Sequence, residues 1–123
     1  MAASDYAVRV MLDAAIRGQA PASSATHVSL HTADPGTTGA NEVTGGAPAY
    51  ARRTITWNAA ATRSIDDNVI SAAFDVPAGT TVTHFGTWDA LSAGNFMVGG
   101  ALSSTESYGA QGTYTLTDTD ISM

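Results

Sequence analysis

Cysteine is absent from this 123-residue chain. That removes disulfides, thiolate metal sites and cysteine nucleophiles. Lysine is also absent: the five basic residues are all arginine, against eleven acidic ones, for a net charge of −6. So few cations make the chain a poor match for a phosphate backbone, and no nucleic-acid partner is expected. No apolar run approaches the ~20 residues of a helical membrane span, so no membrane insertion is expected. The opening MAASDYAVRVML lacks a basic n-region and a small-residue cleavage site, so no secretory leader is expected. Charged residues make up only 13% of the chain and aromatics 7%. What is abundant is alanine, at 23 residues, and threonine, at 17. A β-branched threonine suits a pleated, half-exposed surface, so this bias favours strands.

One segment has helical periodicity. Val8, Met11, Leu12, Ala15 and Ile16 recur at i, i+3, i+4, i+7 and i+8, which is one face of a helix. Ser4 or Asp5 can cap its start, and Gly18 can follow its end. Asp5 with Arg9 and Asp13 with Arg17 are i,i+4 pairs in the favourable order. These cues predict a helix over 5–17. The small, polar stretch 19–26 reads as a linker, so the helix is expected to dock on a separate face or on a neighbouring subunit.

From residue 27 the period becomes two. Runs beginning near His27, Tyr50, Ile70, Thr81, Phe96 and Thr113 alternate as strands, with turns at Asp34-Pro35-Gly36, Asp66-Asp67-Asn68, Pro77-Ala78-Gly79, 91–95 and 109–112. Residues 103–107 are polar and show no strand pattern. Residues 34–48 form a long, glycine-rich loop, longer than most compact domains carry without a purpose. No strand–helix–strand alternation occurs, which argues against a parallel sheet. The expected fold is mainly β: an antiparallel β-sandwich or barrel of about seven strands with one N-terminal helix. It is read as a single domain over 1–123, with the β part at 27–123.

Chemistry leaves few traces. His27 and His31 have metal-ligand spacing for a helix, but on a strand they lie about 13 Å apart. Solvent-facing strand histidines are the simpler reading, and a hydrogen-bonded structural role suits His84. Asp66, Asp67 and Asn68, or Asp118 with Asp120, lack the pattern of a calcium loop. No nucleophile elbow or phosphate-binding loop is present. An enzyme is not expected, and neither is a cofactor or a bound metal. Trp57 and Trp88 are read as core residues, and Gly99-Gly100 as a place of tight packing or a bulge. Arg52-Arg53 is the one basic pair. On a strand these two side chains point to opposite faces, so at least one should be partly buried or at an interface.

Residues 28–53 read VSLHTADPGTTGANEVTGGAPAYARR. This resembles a family of small virion proteins of actinobacterial phages, variously described as tail-fibre-like or virion-associated. The shared pattern is L-H-T-A-D-P (Leu30 to Pro35), then Asn41-Glu42, then Gly45-Gly46 followed by Tyr50-Ala51-Arg52. A second block, TVTHFGTWDA (Thr81 to Ala90), is also similar. Here Ala47-Pro48-Ala49 separates the glycine pair from Tyr50, a departure that can reshape the loop. The resemblance implies a structural protein of the virion, assembled in the host cytoplasm as a homo-oligomer, with a trimer favoured. Small size favours a capsid-decorating or minor capsid protein bound to the major capsid protein. The alternative is a tail-tip or fibre-base protein that binds tail proteins and contacts the host envelope. A carbohydrate-binding module using Trp57 or Trp88 is a third reading. The expected partner-contact residues are Tyr6, Arg9, Asn41, Glu42, Arg52 and Arg53.

Overall fold

The computed structural model describes residues 2–123. In chain order the elements are β1 (Ala2–Ala3), α1 (Asp5–Ala15), β2 (His27–His31), β3 (Arg53–Trp57), β4 (Ser64–Ile70), β5 (Phe74–Val76), β6 (Thr80–Trp88), β7 (Phe96–Tyr108), β8 (Gly112–Tyr114) and β9 (Asp120–Ser122). Seven strands form one curled antiparallel sheet in the order β1-β7-β6-β2-β3-β4-β9. Strands β5 and β8 form a small second sheet. The mainly β, antiparallel class with a helix near the start is therefore as expected.

α1 begins where the capping cue places it. The Ser4 hydroxyl accepts from the Ala7 N–H and donates to the Phe96 carbonyl, so one side chain caps the helix and pins it to β7. The Ser4 N–H also donates to the Met97 carbonyl at 2.8 Å. The face that docks differs from the one the periodicity singles out. Small Ala7, 2% exposed, meets the sheet, while Val8, Met11, Leu12 and Ile16 stay exposed. Of the two expected i,i+4 ion pairs, only Asp13–Arg17 closes, at 2.9 Å.

The two faces of the central strands differ. Val28 and Leu30 of β2 join Phe85, Phe74, Val76 and Ile55 in the apolar core. The register sets Ser29 beside Gly86, and Gly86 beside Gly99, on the other face. That face is covered by the loop 34–48. A Cβ on Gly99 would stand 2.6 Å from Pro35 Cγ, so the absent side chain lets the loop lie directly on the sheet. This is the tight packing expected at Gly99. With both faces covered, all of Val28 to His31 is buried. His31 is thus not the solvent-facing residue that the alternation suggests: it is fully buried.

Two other segments differ from expectation. Asp66-Asp67-Asn68 lies within β4 rather than in a turn. The reversal comes earlier, at 58–63, where Thr62 has φ +56°. Asp67 bonds across the fold: the Thr119 N–H donates to its Oδ1 at 2.6 Å. Strand β7 continues through polar residues 103–107, paired with the start of β6. Both faces are exposed there, so no apolar alternation marks the strand. A Thr81–Ser107 hydroxyl contact of 3.0 Å links the pair instead.

Candidate contact surface

The loop 34–48 is anchored by a buried polar cluster. Arg52 precedes β3 and turns its guanidinium under the loop. Its Nε and Nη2 donate to the two Glu42 carboxylate oxygens, both at 2.9 Å, as a bidentate fork. Its Nη1 donates to the carbonyls of Ala90 and Ala93 at 3.0 and 2.8 Å. The Arg52 Cζ lies 3.7 Å from the Trp88 ring centroid, within cation–π range. The Tyr50 hydroxyl donates to Glu42 at 2.9 Å and accepts from the Leu30 N–H at 3.0 Å. Its ring stacks on Phe74, which ties the cluster to the apolar core. Burial, together with the neighbouring Glu42 charge, pushes the Tyr50 phenol far above its ordinary value, so it remains a donor.

A second chain of hydrogen bonds runs beneath. The Trp88 indole N–H donates to Ser29 Oγ at 2.8 Å. Ser29 Oγ lies 2.7 Å from His31 Nε2, and His31 Nδ1 lies 2.7 Å from the Ala40 carbonyl. A carbonyl only accepts, so Nδ1 carries the proton and Nε2 accepts from Ser29. This sequence of donors suits a neutral imidazole. Burial lowers the His31 pKa from the ordinary 6.5, opposed by the Ala40 carbonyl and Glu42 and assisted by Arg52 and His84. Trp88 itself is buried, with Arg52 over one face and Phe96 packed edge-on at 5.2 Å. It therefore presents no stacking surface to a sugar. Trp57 packs against the core and donates from its indole to the Ala25 carbonyl.

Close packing holds the loop tip as well. Gly39 has φ +78°, and a Cβ there would stand 2.5 Å from Trp88 Cη2. Val43 is buried, and its N–H donates to the Leu30 carbonyl. Asn41 turns the chain at φ +65°, donates to the Asp34 carbonyl and offers its own carbonyl to Thr32. Most of the remaining loop residues, among them Thr37, Thr38, Thr44 and Ala47, are exposed. Next to the loop lies the 90–95 turn. Between them is a shallow cleft of about 390 Å3 lined by Glu42, Thr44, Tyr50, Arg52, Leu91 and Ala93.

The six expected contact residues thus fall in three places. Asn41, Glu42 and Arg52 meet at the loop, where Arg52 and Glu42 are engaged with each other. Arg53 points elsewhere, as a strand pair requires: it donates to the Ala73 carbonyl and pairs with Asp75 at 3.3 Å. Tyr6 and Arg9 sit on α1, with Tyr6 hydrogen-bonded to Ser23 and Arg9 exposed. The spacing of residues alone gives no sign of Tyr50, Trp88 and Ser29 as members of the cluster. Polar Ser29 and His31 sharing one strand face is the trace that sequence offers. Among the described residues, no group of three or more histidine or acidic side chains is placed to hold a metal ion.

A model of the family described as podophage GP4 fiber I protein gp80 matches residues 2–123. The chain belongs to this phage fibre protein family. It is accordingly a virion-associated protein. No curated protein matches it. The family agrees with the tail-fibre side of the resemblance and favours the fibre reading over capsid decoration.

Proposed function

We propose that this protein is a structural component of the tail fibre, at its base or tip, that contacts the host envelope through the loop 34–48 and the adjoining 90–95 turn. The observation that carries the reading is the fibre-family match over residues 2–123. Two features of the fold support the choice of surface. The loop has its backbone fixed by the Arg52–Glu42–Tyr50 cluster, so its exposed residues are ordered before contact and less conformational entropy is lost on binding. Leu91, 57% exposed, projects beside it and adds an apolar contact. Beyond the exposed Asp34 and the half-buried Glu42, the surface is threonine, asparagine, glycine and alanine, hydrogen-bonding and mostly uncharged, which suits a polar envelope glycan or protein loop.

The test is binding of the fluorescently labelled chain to cells of the phage's host. We expect saturable binding that a Thr37→Glu, Thr38→Glu double variant reduces at least about tenfold, a loss of about 1.4 kcal/mol. The melting temperature should be unchanged, because both side chains are exposed. Absence of binding by the unaltered chain would contradict host contact. Equal binding by the double variant would move the contact away from the loop.

A further inference from the structure

Helix α1 carries apolar side chains on two opposite sides. Ala7 and Val10 face β7. On the other side Val8, Leu12 and Ile16 follow at i, i+4 and i+8, exposed by 40, 54 and 78%. Ala15 widens this outer stripe, whereas Met11 turns toward the sheet and lines a cavity with Ala7, Val10 and Ile121. An amphipathic surface helix ordinarily turns its apolar face inward, whereas here the larger apolar residues face out.

A second stripe runs along one flank of the first with the same spacing: Asp5, Arg9, Asp13, Arg17. Its charges alternate in sign. Arg17, just past the end of the helix, pairs with Asp13. Arg9 makes no ion pair among the described residues, although Asp5 and Asp13 each lie four positions away. The other arginines are all engaged within the chain: Arg52 and Arg53 pair with Glu42 and Asp75, and Arg63 donates to the Met123 carbonyl.

We propose that α1 is the docking surface for a second copy of this chain, packed antiparallel about a twofold axis near Met11 and Leu12. Charge complementarity selects this occupant and this direction. A twofold axis lying in the contact plane, across the helix, reverses the helix but keeps its charged flank on the same side. Arg9 then faces the partner's Asp13, and Asp13 faces the partner's Arg9. At the ends, Asp5 lies toward the partner's Arg17. A parallel pair would put the charged flanks on opposite sides, where their signs have no use. Along the seam Leu12 meets the partner's Leu12, and Val8 meets the partner's Ala15 and Ile16. The contact is isologous, so each off-axis contact occurs twice. It is twofold, unlike the trimer the family resemblance leads one to expect. One short helix face falls below the ~800 Å2 per partner of a standard interface, so the pair forms and separates with concentration.

The experiment uses the full chain in solution and is independent of the fibre reading, since neither host nor virion enters it. Sedimentation equilibrium at about 100 µM should give twice the monomer mass and fall toward monomer on dilution. Leu12→Glu should be monomeric throughout with an unchanged circular dichroism spectrum, because Leu12 is already exposed. In a chain without cysteine, Leu12→Cys should crosslink copies on oxidation. Val8→Cys should not, because Val8 and the partner's Val8 stand about seven residues apart along the axis, roughly 10 Å, beyond the ~7 Å limit between bridged Cα atoms. Arg9→Glu and Asp13→Arg should each weaken self-association, and mixing the two variants should restore it, since both charge contacts in the mixed pair are then of opposite sign. A monomer at the highest concentration, a threefold mass, or equal crosslinking at positions 8 and 12 would overturn the proposal.

Discussion

Arg52 is held by four hydrogen bonds and an aromatic face, in a site where it is only 7% exposed. Removing it leaves Glu42 partly buried without a cation and frees two carbonyls of the 90–95 turn. Arg52→Ala should therefore cost about 3 kcal/mol, near the low end for a broken buried pair because Glu42 keeps some contact with water. Arg52→Lys should recover less than half of this, since a point charge cannot make the planar fork or stack on Trp88. Urea unfolding of the three proteins measures both. His31 provides a pH test. Its folded-state pKa lies below the ordinary 6.5 because it is buried. Below 6.5 the unfolded chain therefore binds a proton that the folded chain resists, and stability falls as pH falls. The stability gap between the native protein and His31→Gln should narrow from about pH 7.5 to about pH 5.5. A gap that stays constant with pH would remove His31 from the acid response. Sequence gives half of this picture. The basic pair at 52–53 points to opposite faces, and one member is buried, as strand geometry demands. That Glu42 is the carboxylate it meets depends on how a fifteen-residue loop folds back, and no local periodicity encodes that.

At the scale of elements, α1 and the strands differ in how openly the sequence shows them. The helix start is written locally: Ser4 caps it, and the same hydroxyl reaches β7. Ser4→Ala should thus lose both the cap and a tertiary hydrogen bond, lowering stability by about 1–2 kcal/mol in thermal or denaturant unfolding. Which face of the helix docks is not written locally. Small Ala7 allows close approach to β7, and that choice leaves the larger apolar residues outside. The strands are most visible where one face is apolar and the other polar, as in β3. At β2 the alternation marks the strand but not its second buried face, which exists because the loop covers Ser29 and His31. The far half of β7 is exposed on both faces, so its polar run reads as a loop. The Asp66-Asp67-Asn68 cluster misleads for a related reason. Short polar side chains that favour turns also bond to backbone across a sheet, as Asp67 does with Thr119.

The whole molecule is a curled antiparallel sheet with a covering loop on one face and a helix pinned to β7. Its end strands are short: β1 has two residues and β9 three, and beyond β1 the edge of β7 carries the polar run 103–107. Short end strands and polar residues along an edge limit uncontrolled strand addition. Two contact regions are proposed for this arrangement, one at the loop for the envelope and one at α1 for another copy. The family assigns the chain to a phage fibre, and its place on the particle decides whether the loop can reach a host. Cryo-electron microscopy of the intact parent virion, with this domain fitted into the map, tests that directly. Density for the domain is expected on the tail fibre apparatus, in far fewer copies than the major capsid protein, with the loop 34–48 facing outward. Density repeating over the icosahedral lattice, with none on the tail, would contradict this placement.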